Sequence, residues 1–120
     1  MKIFLIHSRH FDFETELYAP LRRSALNESH ELIFPHDGGM AVKTKDIIKS
    51  ADVVVAEVSK AGTGIGIELG WADAFDRPIL CIHKEGTQLS GSLQYLTENV
   101  AAYSNDEELV QSISEFVSTI

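Results

Sequence analysis

The sequence predicts an α/β fold: a single doubly wound domain over residues 1–120, with a five-stranded parallel sheet and helices on both faces, flavodoxin-like or Rossmann-like. Three observations predict it. Short apolar runs rich in β-branched residues alternate with segments of helical period. The runs are apolar at successive positions, as strands covered on both faces require. Polar or glycine-rich clusters follow the first and third runs directly, where parallel strands give way to βα loops.

Residues 2–7, KIFLIH, form the first strand and suit a central place in the sheet. The polar cluster His7, Ser8, Arg9 and His10 follows it and offers donors for a phosphate or sugar. Residues 11–26 read as an amphipathic helix with Phe13, Leu17 and Leu21 on one stripe; Pro20 should kink or split it. Arg22 and Arg23 should face solvent. Residues 30–34 form a second strand, and residues 35–39 a loop in which His36 and Asp37 border the same sheet edge. A weaker helix falls within residues 40–50, with Ile47 and Ile48 as its apolar contacts.

Residues 52–58 are the third strand. The loop of residues 59–66 contains Gly62, Gly64 and Gly66, and the pattern turns helical from about Ile65, with Leu69, Ala72 and Phe75 following. Residues 78–83 are the fourth strand and hold the lone Cys81, which points to a reduced, cytoplasmic protein with no disulfide framework. A short helix over residues 93–98 and an edge strand over residues 100–104 come next. Asn105 is placed as the N-cap of a closing helix with Asp106, Glu107 and Glu108 in its first turn. Leu109, Ile113, Phe116 and Val117 form its buried stripe.

Composition narrows the function. The chain has 120 residues, 44% hydrophobic, with 10 Lys and Arg against 18 Asp and Glu and a formal net charge of −8. A long nucleic acid is therefore an unexpected partner, whereas small anions can bind locally at a helix N-terminus. No stretch approaches the roughly 18 apolar residues of a membrane span, and the first residues lack a signal-peptide pattern. Metal-ligand spacing is absent, and neither metal nor organic cofactor is expected.

Within residues 51–77 the odd residue is Glu68, whose helix face is shared by Trp71, Ala72 and Phe75. A carboxylate among apolar neighbours is costly unless partnered, so it reads either as an ion-paired residue or as a poised carboxylate at a cleft. The preceding loop is neither a dinucleotide fingerprint nor a P-loop. Its place between strand and helix still suits a phosphate held by backbone N–H groups, with Ser59 and Thr63 adding hydroxyls.

Residues 51–58, ADVVVAEV, and 64–70, GIGIELG, resemble the nucleoside 2-deoxyribosyltransferase family, closest to its 2'-deoxynucleoside 5'-monophosphate N-glycosidase branch. The resemblance is close over residues 51–83 and looser on both flanks. It implies a small parallel α/β fold, a dimer or larger assembly, and Glu68 as nucleophile. It also implies Phe4 near the sugar where the family often has Tyr, and Arg9 or His10 near a 5'-phosphate. Thr44 stands where the family has an Asp, with Asp46 nearby as a proton-transfer candidate. Gly62 and Thr63 match a loop Ser, and Ser92 or Ser90 a Ser that reaches a neighbouring subunit's phosphate.

The expected function is cleavage or transfer of the N-glycosidic bond of a nucleoside or nucleoside 5'-monophosphate. Glu68 would be kept ionised by the helix N-terminus, and Asp46, Asp37 or a histidine would move the proton. The substrate-binding candidates are Phe4, His7, Ser8, Arg9, His10, Asp37, Ser59, Gly62, Thr63, Gly64, Gly66 and Ser92. A non-catalytic nucleotide-binding module, favoured by Phe4 and Thr44, and a TIR-like NAD-cleaving or signalling domain are the other readings. The helix after Glu68 is apolar nearly all round, which predicts a homodimer anchored at Trp71.

Overall fold

The computed structural model describes residues 1–37 and 43–120. Its centre is a five-stranded parallel sheet in the order β2-β1-β3-β4-β5. The strands are β1 (Lys2–His7), β2 (Glu31–Ile33), β3 (Val53–Glu57), β4 (Ile79–Lys84) and β5 (Val100–Tyr103). All pairs are parallel, with Ile3 opposite Val53 and His7 opposite Glu57 in the central β1–β3 pair. The edge position of β5 agrees with the sequence reading, and β1 lies inside the sheet.

Alternation along each strand divides the core into two layers. Ile3, Leu5, Val53, Val55, Leu80 and Ile82 face one side. There they meet the helices α1 (Ala19–Arg22), α2 (Leu26–Ser29) and α5 (Asp106–Ser118). Phe4, Ile6, Val54, Ala56 and Cys81 face the other side. There they meet α3 (Lys45–Ser50) and α4 (Thr63–Ala74). Cys81 is fully buried, and burial pushes its thiol up to about 11, so it is a packing residue.

The helix expected over residues 11–26 is broken into pieces. A π-helical turn, Glu14–Tyr18, runs into α1, and α2 follows as a separate turn. Pro20 sits in the opening positions of α1, just past the π-helical turn. Leu17 and Leu21 are buried as the stripe requires, and Arg22 and Arg23 lie exposed in ion pairs with Glu14, Asp37 and Asp106. Residues 38–42, part of the predicted loop and of the predicted helix over residues 40–50, lie outside the described residues; within the described part that helix is α3. The short helix predicted over residues 93–98 is a 3-10 turn, Gly91–Tyr95. At the closing helix the Asn105 side chain accepts from the Glu108 N–H at 2.8 Å, as an N-cap should.

Leu109 is fully buried where α5 meets the sheet. Leu109→Ala should cost about 2–5 kcal/mol and Asn105→Ala about 1 kcal/mol, read as shifts of the urea midpoint at unchanged slope.

Candidate active site

The order β2-β1-β3 makes the chain turn opposite ways from β1 and β3. Their following loops part to opposite faces and leave a crevice at the carboxyl edge. A cleft of about 590 Å³ opens there. The end of β1 supplies His7, Ser8, Arg9 and His10; the start of α4 supplies Gly62, Thr63 and Gly64; the far wall carries Glu68 and Trp71. His36, Lys43, Thr44, Ile65 and Ile67 complete the lining. The two main loops meet closely, since a Cβ at Gly62 would stand 3.6 Å from the Ser8 hydroxyl.

Glu68 is half-buried on the flank of α4, whose buried stripe is Ile65, Leu69 and Ala72. The Thr44 hydroxyl donates to its Oε2 at 2.6 Å. Burial raises the carboxyl above the ordinary carboxylate range, and the Thr44 hydrogen bond pulls it partly back. The expected support from the helix N-terminus is corrected. The helix begins at Thr63 and has no acidic residue in its first turn, beyond which the dipole effect fades. The donor that favours the carboxylate comes from the segment before α3.

His7 is buried and already satisfied. Its Nε2 accepts from the Tyr18 hydroxyl at 2.6 Å, and its Nδ1–H donates to the Ser8 carbonyl at 3.1 Å. Burial lowers its pKa to about 4, so the ring is neutral near pH 7. Phe13 stacks on it with centroids 4.3 Å apart. His7 is thus an uncharged wall of the cleft, with both nitrogens engaged inside the protein. Tyr18 also accepts from the His36 N–H at 3.3 Å and so ties the ends of β1 and β2 together. Tyr18 stands in no motif that the sequence offers, and nothing in the local pattern marks this role.

The remaining candidates fall elsewhere. Phe4 is fully buried three residues before the end of β1, packed in the α3–α4 layer, and does not line the cleft. Asp46 is exposed in the first turn of α3 and Asp37 is exposed in an ion pair with Arg22; neither lines the cleft. Ser59, Gly66 and Ser92 line a neighbouring depression of about 250 Å³, which shares Gly62 and Ile65 with the main cleft. Ser59 is engaged there. Its N–H and hydroxyl donate to the buried Glu57 carboxylate at 2.5 and 3.0 Å, while Tyr103 donates to the same group. Lys43 is a part of the lining that the sequence left without a role, and Thr44, which stands where the family has an Asp, lines the cleft as well. Among the described residues no group of three or more His, Cys, Asp or Glu side chains could hold a metal ion. None of the described helices is long and apolar enough to cross a membrane.

No family model matches the chain. It is 37% identical over 70 residues to the 5-hydroxymethyl-dUMP N-hydrolase of Branchiostoma floridae, covering 52% of this chain and 67% of that protein. A Trichoplax adhaerens protein with the provisional name 2'-deoxynucleoside 5'-phosphate N-hydrolase 1 is 33% identical over 92 residues. That match covers 68% of this chain and 64% of the relative, so it spans somewhat under two thirds of the relative's length. The fold matches that of the CMP N-glycosidase BcmB of Clostridium botulinum with a TM-score of 0.68 at 21% identity, over 95% of this chain and 99% of that one. With these sequence matches and the fold in agreement, the chain belongs to the nucleoside 2-deoxyribosyltransferase family, in the branch of the 2'-deoxynucleoside 5'-phosphate N-hydrolases.

Proposed function

We propose that this protein cleaves the N-glycosidic bond of a nucleoside 5'-monophosphate, with Glu68 as nucleophile. The observation that carries the reading is a half-buried carboxylate in the cleft at the sheet's carboxyl edge which, among the described residues, has one hydrogen-bond donor on one oxygen. The free oxygen attacks the anomeric carbon, and the C–N bond breaks with its electron pair leaving on the base. The base takes a proton, and a glycosyl ester to Glu68 remains. Water then attacks the same carbon, loses a proton and releases Glu68, as in retaining glycosidases. His10 or His36 supplies the proton to the leaving base, since both line the cleft while Asp37 and Asp46 do not.

The 5'-phosphate sits between Ser8, Arg9 or His10 and the backbone of Gly62 to Gly64. The support is convergence: the β1 loop and the start of α4 line one cleft, and a helix N-terminus favours an anion. The names of the relatives add a nucleotide rather than a free nucleoside as the preferred class. The functional unit is a homodimer. Ile67 is 49% exposed and Trp71 and Phe75 are half-buried along α4, so apolar surface at and beside the cleft wall is left for a second copy, which would then border the site.

A panel of nucleosides and their 5'-monophosphates, with released base followed by chromatography, tests the activity; an added acceptor base separates transfer from hydrolysis. Release of no base from any of them would reject it. Glu68→Gln should lower turnover by roughly a thousandfold or more. The same change should leave the fold as stable or slightly more so. Because burial raises the Glu68 pKa, the folded state binds the extra proton, and stability falls as pH climbs from the unfolded to the folded pKa. The neutral amide escapes that loss. A Gln variant with wild-type turnover would end the nucleophile role.

Arg9→Ala should weaken monophosphates more than nucleosides, by roughly tenfold in kcat/KM. Equal losses on both would remove Arg9 from the phosphate site. Sedimentation at micromolar concentration should give the dimer mass, and Trp71→Glu the monomer mass.

A further inference from the structure

We propose that Thr44 is the positioning residue of Glu68, holding one carboxylate oxygen so that the other is presented to the cleft. The proposal rests on the reading of Glu68 as nucleophile. Its geometric basis is the 2.6 Å bond from the Thr44 hydroxyl to Oε2. Among the described residues this is the hydrogen bond that the Glu68 side chain makes, and none of the ion pairs between them involves it. The second oxygen is therefore left for the ligand.

The donor is well anchored. Thr44 is the N-cap residue of α3, and its carbonyl accepts from the Ile48 N–H at 2.9 Å. Ile48 is itself fully buried in the layer beneath α4. A β-branched side chain has few rotamers, so fixing the backbone nearly fixes the hydroxyl. Glu68 belongs to a different element, α4, and the bond spans 24 residues of sequence. A threonine hydroxyl donates a hydrogen bond without giving up its proton near neutral pH, so Thr44 orients the carboxylate and is not an acid.

Orientation and protonation are coupled in this pair. A donor that favours the charged form opposes the burial that favours the neutral one. Other titratable side chains face the same space. Arg9 and His10 come from the end of β1, His36 from the end of β2 and Lys43 from the segment before α3, while His7 stays neutral. Lys45, Asp46 and Lys49 stand on α3. Lys49 lies over the Phe75 ring at 5.6 Å.

Thr44→Val keeps the branched side chain and deletes the donor; Thr44→Ser keeps the donor. Carbon-13 NMR of labelled glutamate carboxyls follows the Glu68 titration directly, without requiring turnover. Thr44→Val should titrate at higher pH than wild type, shift the acid limb of the kcat profile the same way, and lower kcat roughly tenfold. Thr44→Ser should stay near wild type in all three. A Thr44→Val protein that is folded and titrates as wild type, with an unmoved acid limb, would overturn the proposal. A wild-type protein that releases no base from any nucleotide would instead overturn the function reading, and the NMR titration would still decide whether Thr44 governs Glu68.

Discussion

The pairing of β1 with β3 is the constraint on which the rest of the structure depends. These strands lie side by side in the sheet, yet the chain reaches β3 only after passing through β2 on the far side of β1. Right-handed crossovers then force the two following loops to opposite faces. The opening between them is thus a product of topology, before any side chain is considered. In-register pairing from Ile3–Val53 to His7–Glu57 ends both strands at the same height. That common end brings the His7–His10 loop and the start of α4 into one cleft.

The last paired residues of these strands are polar and buried, and each is handled in a different way. His7 is kept neutral by burial, with Tyr18 and Ser8 occupying its nitrogens. Glu57 is surrounded by donors from Ser59 and Tyr103, and the Lys84 N–H in turn donates to the Ser59 hydroxyl at 2.8 Å. A buried polar group without partners would cost on the order of 1–3 kcal/mol. Here the partners also join strand ends: Tyr18 links β1 to the β2 end, and Ser59 and Tyr103 link β3 to β4 and β5. The rim of the cleft is therefore fixed by groups whose hydrogen bonds are made within the protein. Glu68 differs from both, because it lines the cleft and among the described residues its one hydrogen bond is the Thr44 hydroxyl on Oε2.

Much of the fold was legible because period and burial agree along the sequence. The runs at Ile3–Ile6, Val53–Ala56 and Ile79–Ile82 are buried as their composition requires. The Asn105 cap and the Leu109, Ile113, Phe116 stripe announced the closing helix. The region around Pro20 was less legible, since proline marks a break without saying whether it lies before or inside the new helix. Site residues were readable where they sit in a polar or glycine-rich cluster, as with Ser8 to His10 and Gly62 to Gly64. Phe4 shows the limit of carrying a role across by position. Three residues short of the strand end, its ring goes into the core instead of the cleft. Thr44 was placed by the resemblance alone, because a long-range hydrogen bond between the N-cap of α3 and a residue of α4 leaves no trace in local pattern.

Charge completes the connection between sequence and site. The chain is strongly acidic as a whole, at −8. Yet Glu68 is the sole carboxylate among the residues lining the cleft, beside Arg9, Lys43 and three histidines. The residues 38–42 that border this region in sequence are Gly, Gly, Met, Ala and Val, and add no ionisable side chain. An acidic surface disfavours long polyanions, while a locally cationic cleft concentrates a small one by focusing the field. A phosphate brought near Glu68 would by itself oppose ionisation of the carboxyl, as any like charge does. Under the proposed chemistry Arg9 and Lys43 would offset that repulsion, so that a single carboxylate could remain charged beside an anionic ligand.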